Sequence, residues 1–174
     1  MMIASTTWRT SASLRLPALG LRPHAAVGTA VKLPTQFEQF GSAANFVSNP
    51  SLKSEESFGW DAGVEFSLLR GKAVLDVTYF AADLENKIKT EFISMSDPNR
   101  VGNCRTGESF CSTAINLDGR SRRKGVETSL RAELSAGLTL GLGYTWLDAR
   151  DRDDVREIRR PVHSGRADLG YTFD

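Results

Sequence analysis

Apolar and polar residues alternate with a period of two along most of this chain, and the alternation resolves into seven segments with the signature of extended strands. The first carries Trp8, Thr10, Ala12, Leu14 and Leu16 on one face; the second carries Leu21, Pro23, Ala25, Val27 and Thr29. In the third, Trp60, Ala62, Val64, Phe66 and Leu68 alternate with Asp61, Gly63, Glu65 and Ser67. The fourth has Ala73, Leu75, Val77, Tyr79 and Ala81; the fifth has Val126, Thr128, Leu130, Ala132 and Leu134 against Glu127, Ser129, Arg131 and Glu133. GLTLGLGYTW forms the sixth, with Leu138, Leu140, Leu142, Tyr144 and Trp146 opposite small, weakly polar residues. The seventh sets Gly165, Ala167, Leu169, Tyr171 and Phe173 against Arg166, Asp168 and Thr172.

Each apolar stripe spans about nine residues, the length a tilted strand needs to cross a bilayer. The connections alternate as well. Leu16 to Gly20, Leu69 to Lys72 and Ser135 to Gly137 are tight, whereas Pro34 to Glu56, Thr90 to Ile115 and Asp148 to Arg160 are long and polar. This is the pattern of an all-β, antiparallel up-and-down transmembrane β-barrel, of which about seven strands are present, with short periplasmic turns and long outer loops. Charges on the outward face test the assignment, because arginine or lysine costs about 2 to 4 kcal/mol at mid-membrane and little at the interface. Asp83, Glu85, Lys87 and Lys89 follow Ala81; Arg120, Arg122 and Lys124 precede Val126; Asp148 follows Trp146. All fall on the long-loop side. Trp8, Trp60, Tyr79, Tyr144 and Trp146 are then the expected outer aromatic girdle, with Phe66, Tyr171 and Phe173 nearer the periplasm. A soluble antiparallel β-sandwich is the alternative, but a sandwich has no reason to hold its stripes at one length or to sort its loops by side.

Composition changes this picture little. With 174 residues the chain is long enough for one domain, and a mean hydropathy of −0.28 suits barrel strands as well as a soluble sheet. No apolar run approaches the roughly 20 residues of a membrane helix. Twenty-two basic against twenty-one acidic residues leave a net charge of +1, which argues against a broad nucleic-acid-binding face. The start, MMIASTTWRT, lacks the pattern of a secretory signal.

Several clusters invite chemical readings. Cys104 and Cys111 are spaced to close a small loop disulfide rather than a redox C-x-x-C pair, and neither His24 nor His163 is near enough in sequence to suggest zinc. Asp151, Asp153 and Asp154 offer calcium-type oxygens, yet the interleaved arginines oppose a cation and favour a charge-paired loop. The RSRRK run, Arg120 to Lys124, is expected at headgroup height facing lipopolysaccharide phosphates, not on nucleic acid. His163 beside Ser164 is the one histidine–nucleophile neighbourhood, and adjacency in sequence does not make a triad, so no enzymatic activity is expected.

The stretches LRPHAAVGTAVKLPTQFEQFG (Leu21 to Gly41), NPSLKSEES (Asn49 to Ser57), NLDGRSRRKGVETSLRAEL (Asn116 to Leu134) and RRPVHSGRADLGYTF (Arg159 to Phe173) occur in an order that resembles TonB-dependent outer-membrane receptors, most of all the vitamin B12 transporter-like branch. The siderophore receptors are the other branch it is similar to. Ser54 stands where that family usually has proline, and Ala30 replaces a common glycine. The resemblance implies a plugged barrel of about 22 strands in the cell outer membrane, taking up cobalamin or a ferric siderophore with energy from the TonB complex. It implies no cofactor. Room for seven strands, without plug, TonB-contacting box or terminal aromatic, makes residues 1–174 an expected fragment of the barrel domain, lacking early and final strands. Within it, Glu65, Glu127, Arg131, Glu133, Arg166 and Asp168 are expected to face a polar lumen, and Asn99, Arg100 and Arg105 are loop candidates for ligand contact. A passive porin-like barrel is the further alternative. Outer-membrane lipid and lipopolysaccharide are the expected surroundings.

Overall fold

In the computed structural model, the described residues are 6–42, 45–94, Cys104, 110–135 and 137–173. Among these residues ten strands run β1 (Arg9–Ser13), β2 (Leu21–Lys32), β3 (Phe46–Val47), β4 (Glu55–Leu68), β5 (Ala73–Glu85), β6 (Ile88–Ser94), β7 (Phe110–Asn116), β8 (Arg120–Ser135), β9 (Leu138–Arg150) and β10 (His163–Tyr171). One sheet carries seven of them in the order β1-β2-β4-β5-β8-β9-β10, every neighbour antiparallel. These are the seven segments of the alternating pattern, joined as an up-and-down meander.

Register decides which face each side chain occupies, because a shift of one residue would exchange the two faces. Pairing Val27 with Trp60, Val64 with Val77, Leu75 with Leu130, Leu130 with Leu142 and Leu142 with Ala167 puts every apolar stripe on the same side of one sheet. Among the described residues no second sheet covers that side. Trp60, Leu142, Tyr144 and Leu169 remain 42%, 41%, 46% and 71% exposed, so the stripes meet the surrounding medium rather than each other. This rules out the sandwich. A continuous apolar face of this extent is not sustained in water but is the normal outer surface of a membrane barrel. Among the described residues both outermost strands, β1 and β10, have an unpaired edge, and the sheet is not closed. Unpaired backbone groups in hydrocarbon are costly, so such edges call for further strands.

The longest strand, β8, has 16 residues, and β4 has 14, more than a bilayer crossing requires. Their excess lies at the long-loop end, where the charges are. At the opposite end, single 3-10 turns at Pro17–Leu19 and Leu69–Gly71 make the tight connections, with Gly20 at φ 64° supplying the left-handed residue that closes the first. No helix among the described residues is long and apolar enough to cross a membrane.

The outer end holds structure that the alternating pattern did not reveal. A five-residue helix, α1 (Gln36–Phe40), starts at Thr35 with a capping box in which Thr35 Oγ1 accepts from Glu38 N at 3.2 Å and Glu38 Oε2 accepts from Thr35 N at 2.7 Å. The expected long polar loop from Thr90 to Ile115 instead contains most of β6 and β7, which pair with β3 in a small sheet of order β3-β7-β6. Phe46, Leu52 and Ala114 form a buried cluster there, with Ile88 packed against it. This is a cap, built separately from the wall.

Candidate functional site at the outer end of the wall

Three elements converge on the outer end: the loop carrying α1 and β3, the β6–β7 hairpin, and the loop from Asp151 to Val162 between β9 and β10. Asn116 fastens the first two. Its Nδ2 donates to Lys53 O at 2.9 Å and to Asn86 O at 2.7 Å, while its Oδ1 accepts from Lys53 N at 2.8 Å. Asn49 adds a bond from Nδ2 to Ala114 O at 2.8 Å.

Asn86 also corrects a detail of the sequence reading. Its φ of 54° breaks the strand after Glu85, so Lys87 does not continue the outward face with Asp83 and Glu85. Lys87 instead reaches Glu157 Oε1 at 2.5 Å. The same carboxylate accepts from Arg123 Nη2 at 3.2 Å and Arg160 Nε at 2.9 Å, and its side chain is only 6% exposed. Burial pushes the Glu157 carboxyl up, but the hydrogen bond from Lys87 and the charge of Arg123 outweigh it and hold the group below the usual carboxylate range. Three cations drawn from β8 and two loops thus meet on one acid and pin the β9–β10 loop over the inner side of the outer end.

Cys104 and Cys111 are joined by a disulfide with Cα atoms 5.5 Å apart, and Cys111, on β7, is fully buried. Its short loop removes modest entropy from the unfolded chain, so reduction is expected to destabilise the β6–β7 hairpin by about 2 kcal/mol. Limited proteolysis with and without dithiothreitol checks this: cleavage between β6 and β7 is expected to accelerate on reduction while the seven-stranded sheet resists. Asn99, Arg100 and Arg105, the candidate ligand contacts, lie outside the described residues.

On the inward face, Arg22 clasps Glu65 through Nε to Oε1 at 3.1 Å and Nη2 to Oε2 at 2.5 Å. Next to them His24 Nε2 meets Asp76 Oδ2 at 2.9 Å, and Thr78 Oγ1 donates to Asp76 Oδ1 at 2.8 Å. Gly63 makes room for this group: a Cβ there would sit 2.4 Å from Thr78 Oγ1 and 2.7 Å from His24 Cε1. Glu127, Arg131 and Glu133 share this face further along, and Arg166 Nε pairs with Asp168 Oδ2 at 2.8 Å. One side of the wall is therefore a polar, charge-paired lumen surface. Phe80, Leu84 and Leu147 also point inward towards the outer end, which strict alternation in those stretches conceals.

The outward face carries Trp8, Trp60, Tyr79 and Tyr144 exposed and Trp146 half-buried, with the Trp60 and Tyr79 rings 5.4 Å apart. His163 Nδ1 lies 2.8 Å from Tyr144 OH on this face, whereas Ser164 points to the lumen, so the two are not assembled into a catalytic pair. Asp151 Oδ1 is engaged by the backbone N–H groups of Asp153 and Val155, both at 3.0 Å, and Asp154 pairs with Arg150 at 3.2 Å. The acidic loop is held by its own turn and its arginines.

An apolar outer surface, a polar inner one and a capped outer end define a wall segment of a membrane-spanning β-barrel. The family model described as TonB dependent receptor-like, β-barrel, matches residues 4–174, and the chain belongs to that family, whose members are outer-membrane proteins. No protein of curated function matches it significantly. Among solved structures it is similar to the copper transporter OprC, with 16% identity, 95% of this chain and 24% of that one covered, and a TM-score of 0.67. It is also similar to the siderophore receptor PirA from Pseudomonas aeruginosa, at 22% identity, 82% and 28% coverage and a TM-score of 0.65. A third likeness is to the Serratia marcescens hemophore receptor HasR, solved with its hemophore HasA and heme, at 19% identity, 83% and 22% coverage and a TM-score of 0.67. The chain spans about a quarter of the length of these structures. Likeness at this identity establishes the fold.

Proposed function

We propose that this wall segment serves an active-transport receptor that takes up a scarce ligand, a ferric siderophore or cobalamin, with energy relayed by the TonB complex. The observation that carries this reading is the family match over nearly the whole chain, on a sheet with an apolar outer and a charge-paired inner face. Residues 1–174 are then part of a β-barrel domain whose plug, earlier strands and final strands lie outside them. The short coverage of the solved relatives and the two open edges support that arrangement. In it, Glu65, Glu127, Arg131, Glu133, Arg166 and Asp168 face the plug, the girdle meets outer-membrane lipid and lipopolysaccharide, and the cap with Asn99, Arg100 and Arg105 meets the ligand. The segment has no catalytic role. The names of the neighbours favour iron-related cargo over cobalamin, since they mention siderophores and heme, and copper is a third candidate.

Deleting the gene that carries this region tests the reading. Uptake of one labelled cargo among ferric siderophores, heme, copper and cyanocobalamin is expected to fall to background and, in the parent strain, to stop when a protonophore collapses the membrane potential. Uptake that persists under the protonophore would favour the passive porin-like barrel instead.

A further inference from the structure

We propose that the cleft between α1 and the segment from Pro50 to Glu56 binds a zwitterionic small molecule, an α-amino acid with an apolar side chain. The site goes beyond the transport reading and does not depend on it. The cleft holds about 560 Å³, within the range of about 300 to 1,000 Å³ usual for small-molecule sites. Phe40, Pro50 and Leu52 make its apolar wall; Leu52 is buried in the cap, and Phe40 is 70% exposed. Glu56 shares the outward face of β4 with Phe58, so the cleft adjoins the outer flank of the wall rather than the lumen.

The polar groups of the cleft are unspent. Ser54 is 8% exposed, and its buried Oγ has no hydrogen-bond partner among the described residues. Such a hydroxyl destabilises the free protein, and a ligand that bonds to it recovers the loss. The receptors that the sequence resembles usually carry proline at this position, so the hydroxyl is a feature of this chain. Glu56 lies directly across from Glu85, a like-charge pair that weakens a sheet. Arg120 answers Glu85 through Nε at 3.0 Å, but among the described residues no cation pairs with Glu56. A ligand ammonium group supplies one. Lys53 lines the same cleft, is likewise unpaired among the described residues, and repels a simple cation. A carboxylate on the same ligand answers it, so one molecule with both charges satisfies both side chains. The side-chain amides of Gln39 and Asn86, also without partners among the described residues, can bond to either end. Ser54 and Glu56 border a second cleft of about 570 Å³ as well, but its other charges, Asp83, Glu85 and Arg120, are paired with one another.

The test is isothermal titration calorimetry of the full chain in maltoside micelles with L-leucine, L-methionine and L-phenylalanine. Saturable binding of at least one is expected, with its N-acetyl and amide derivatives, each lacking one charge, bound roughly tenfold more weakly. Ser54→Ala is expected to weaken binding roughly fivefold and, unlike a change that merely damages the fold, to raise the thermal midpoint of the free protein. Glu56→Gln is expected to erase the preference for the free amine over its N-acetyl form, and Lys53→Gln the preference for the acid over the amide. Lys72→Gln, at the opposite end of the wall, is expected to leave binding unchanged. No saturable binding of any of the three up to about 10 mM would overturn the site. Binding left intact by both Ser54→Ala and Glu56→Gln, with unaltered β-sheet circular dichroism, would place it elsewhere and overturn the site equally. Derivatives bound as tightly as the parent amino acid would overturn the ligand class.

Discussion

Leu142→Arg is expected to lower the stability of the bilayer-inserted sheet by about 2 to 4 kcal/mol, whereas Ser129→Arg on the opposite face costs little. Leu142 sits midway along the stripe from Leu138 to Trp146 and is 41% exposed to its surroundings. The same substitution at a half-exposed site of a soluble sheet would change stability by no more than about 0.5 kcal/mol. Its magnitude therefore reports the medium directly. Ser129 is also exposed but shares its face with Glu127 and Arg131, where a cation joins an existing polar surface. Urea titration in lipid vesicles, followed by tryptophan emission, measures both variants against the parent. Equal, small effects would mean that the two faces see the same solvent.

The second large effect is expected at Glu157. Glu157→Gln leaves Lys87, Arg123 and Arg160 facing one another without their acid. A fully buried pair broken in this way costs about 3 to 5 kcal/mol. Lys87 and Arg123 keep 29% and 22% side-chain exposure, so about 2 to 3 kcal/mol is expected for opening the loop. Hydrogen exchange across residues 151–162 would show the loss, with the amides of the strands staying protected. The same contact gives a pH dependence whose sense follows from the chemistry. Because the folded carboxyl titrates below its unfolded value of about 4.3, its contribution is complete above that pH and is lost as pH falls through the lower folded value. Loop protection is thus expected to hold from neutral pH to about 5 and to fail in more acidic solution. Protection that weakens on raising the pH from 5 to 8 would contradict the assignment.

Legibility of this fold in its sequence followed the physics of each element. The wall strands announce themselves because one face must be apolar throughout, so period two is imposed along each stripe by the medium itself, although β1 has only five residues in regular strand. The strand from Leu21 to Lys32 had the weakest stripe, with Pro23, Ala25 and Thr29, yet it is 12 residues long, because pairing to β4 over its whole length supplies what its side chains do not. The cap was invisible for the opposite reason. Strands β6 and β7 are short, bury one small cluster, and are held by the Cys104–Cys111 bond and by Asn116, none of which leaves a periodic trace. A signal for α1 was present in Thr35 and Glu38, spaced as a capping box with Phe37 inside it and Phe40 just after.

The charge cluster on Glu157 shows a different limit. Its partners Lys87 and Arg123 lie 70 and 34 residues away, and only the turn at Asn86 and the fold of the β9–β10 loop bring them together. In sequence, Glu157 is one more acid in a mixed-charge loop. Arg122 and Lys124 were legible as outward cations at the outer end of the wall, but their lack of partners among the described residues depends on how Arg120 and Arg150 claim Asp83 and Asp148. Composition and spacing place charges; only geometry tells which are already satisfied.

All of this depends on the outward stripes touching hydrocarbon. Nitroxide labels placed one at a time along residues 138–146 in lipid vesicles measure it most directly, through collision with oxygen, which concentrates in the bilayer, and with a water-soluble nickel chelate. The expected pattern is preference for oxygen at 138, 140, 142, 144 and 146 and for the chelate at 139, 141, 143 and 145. Chelate access at every position, or exclusion of both agents from the even positions, would place the stripe in water or in a packed protein core and contradict it.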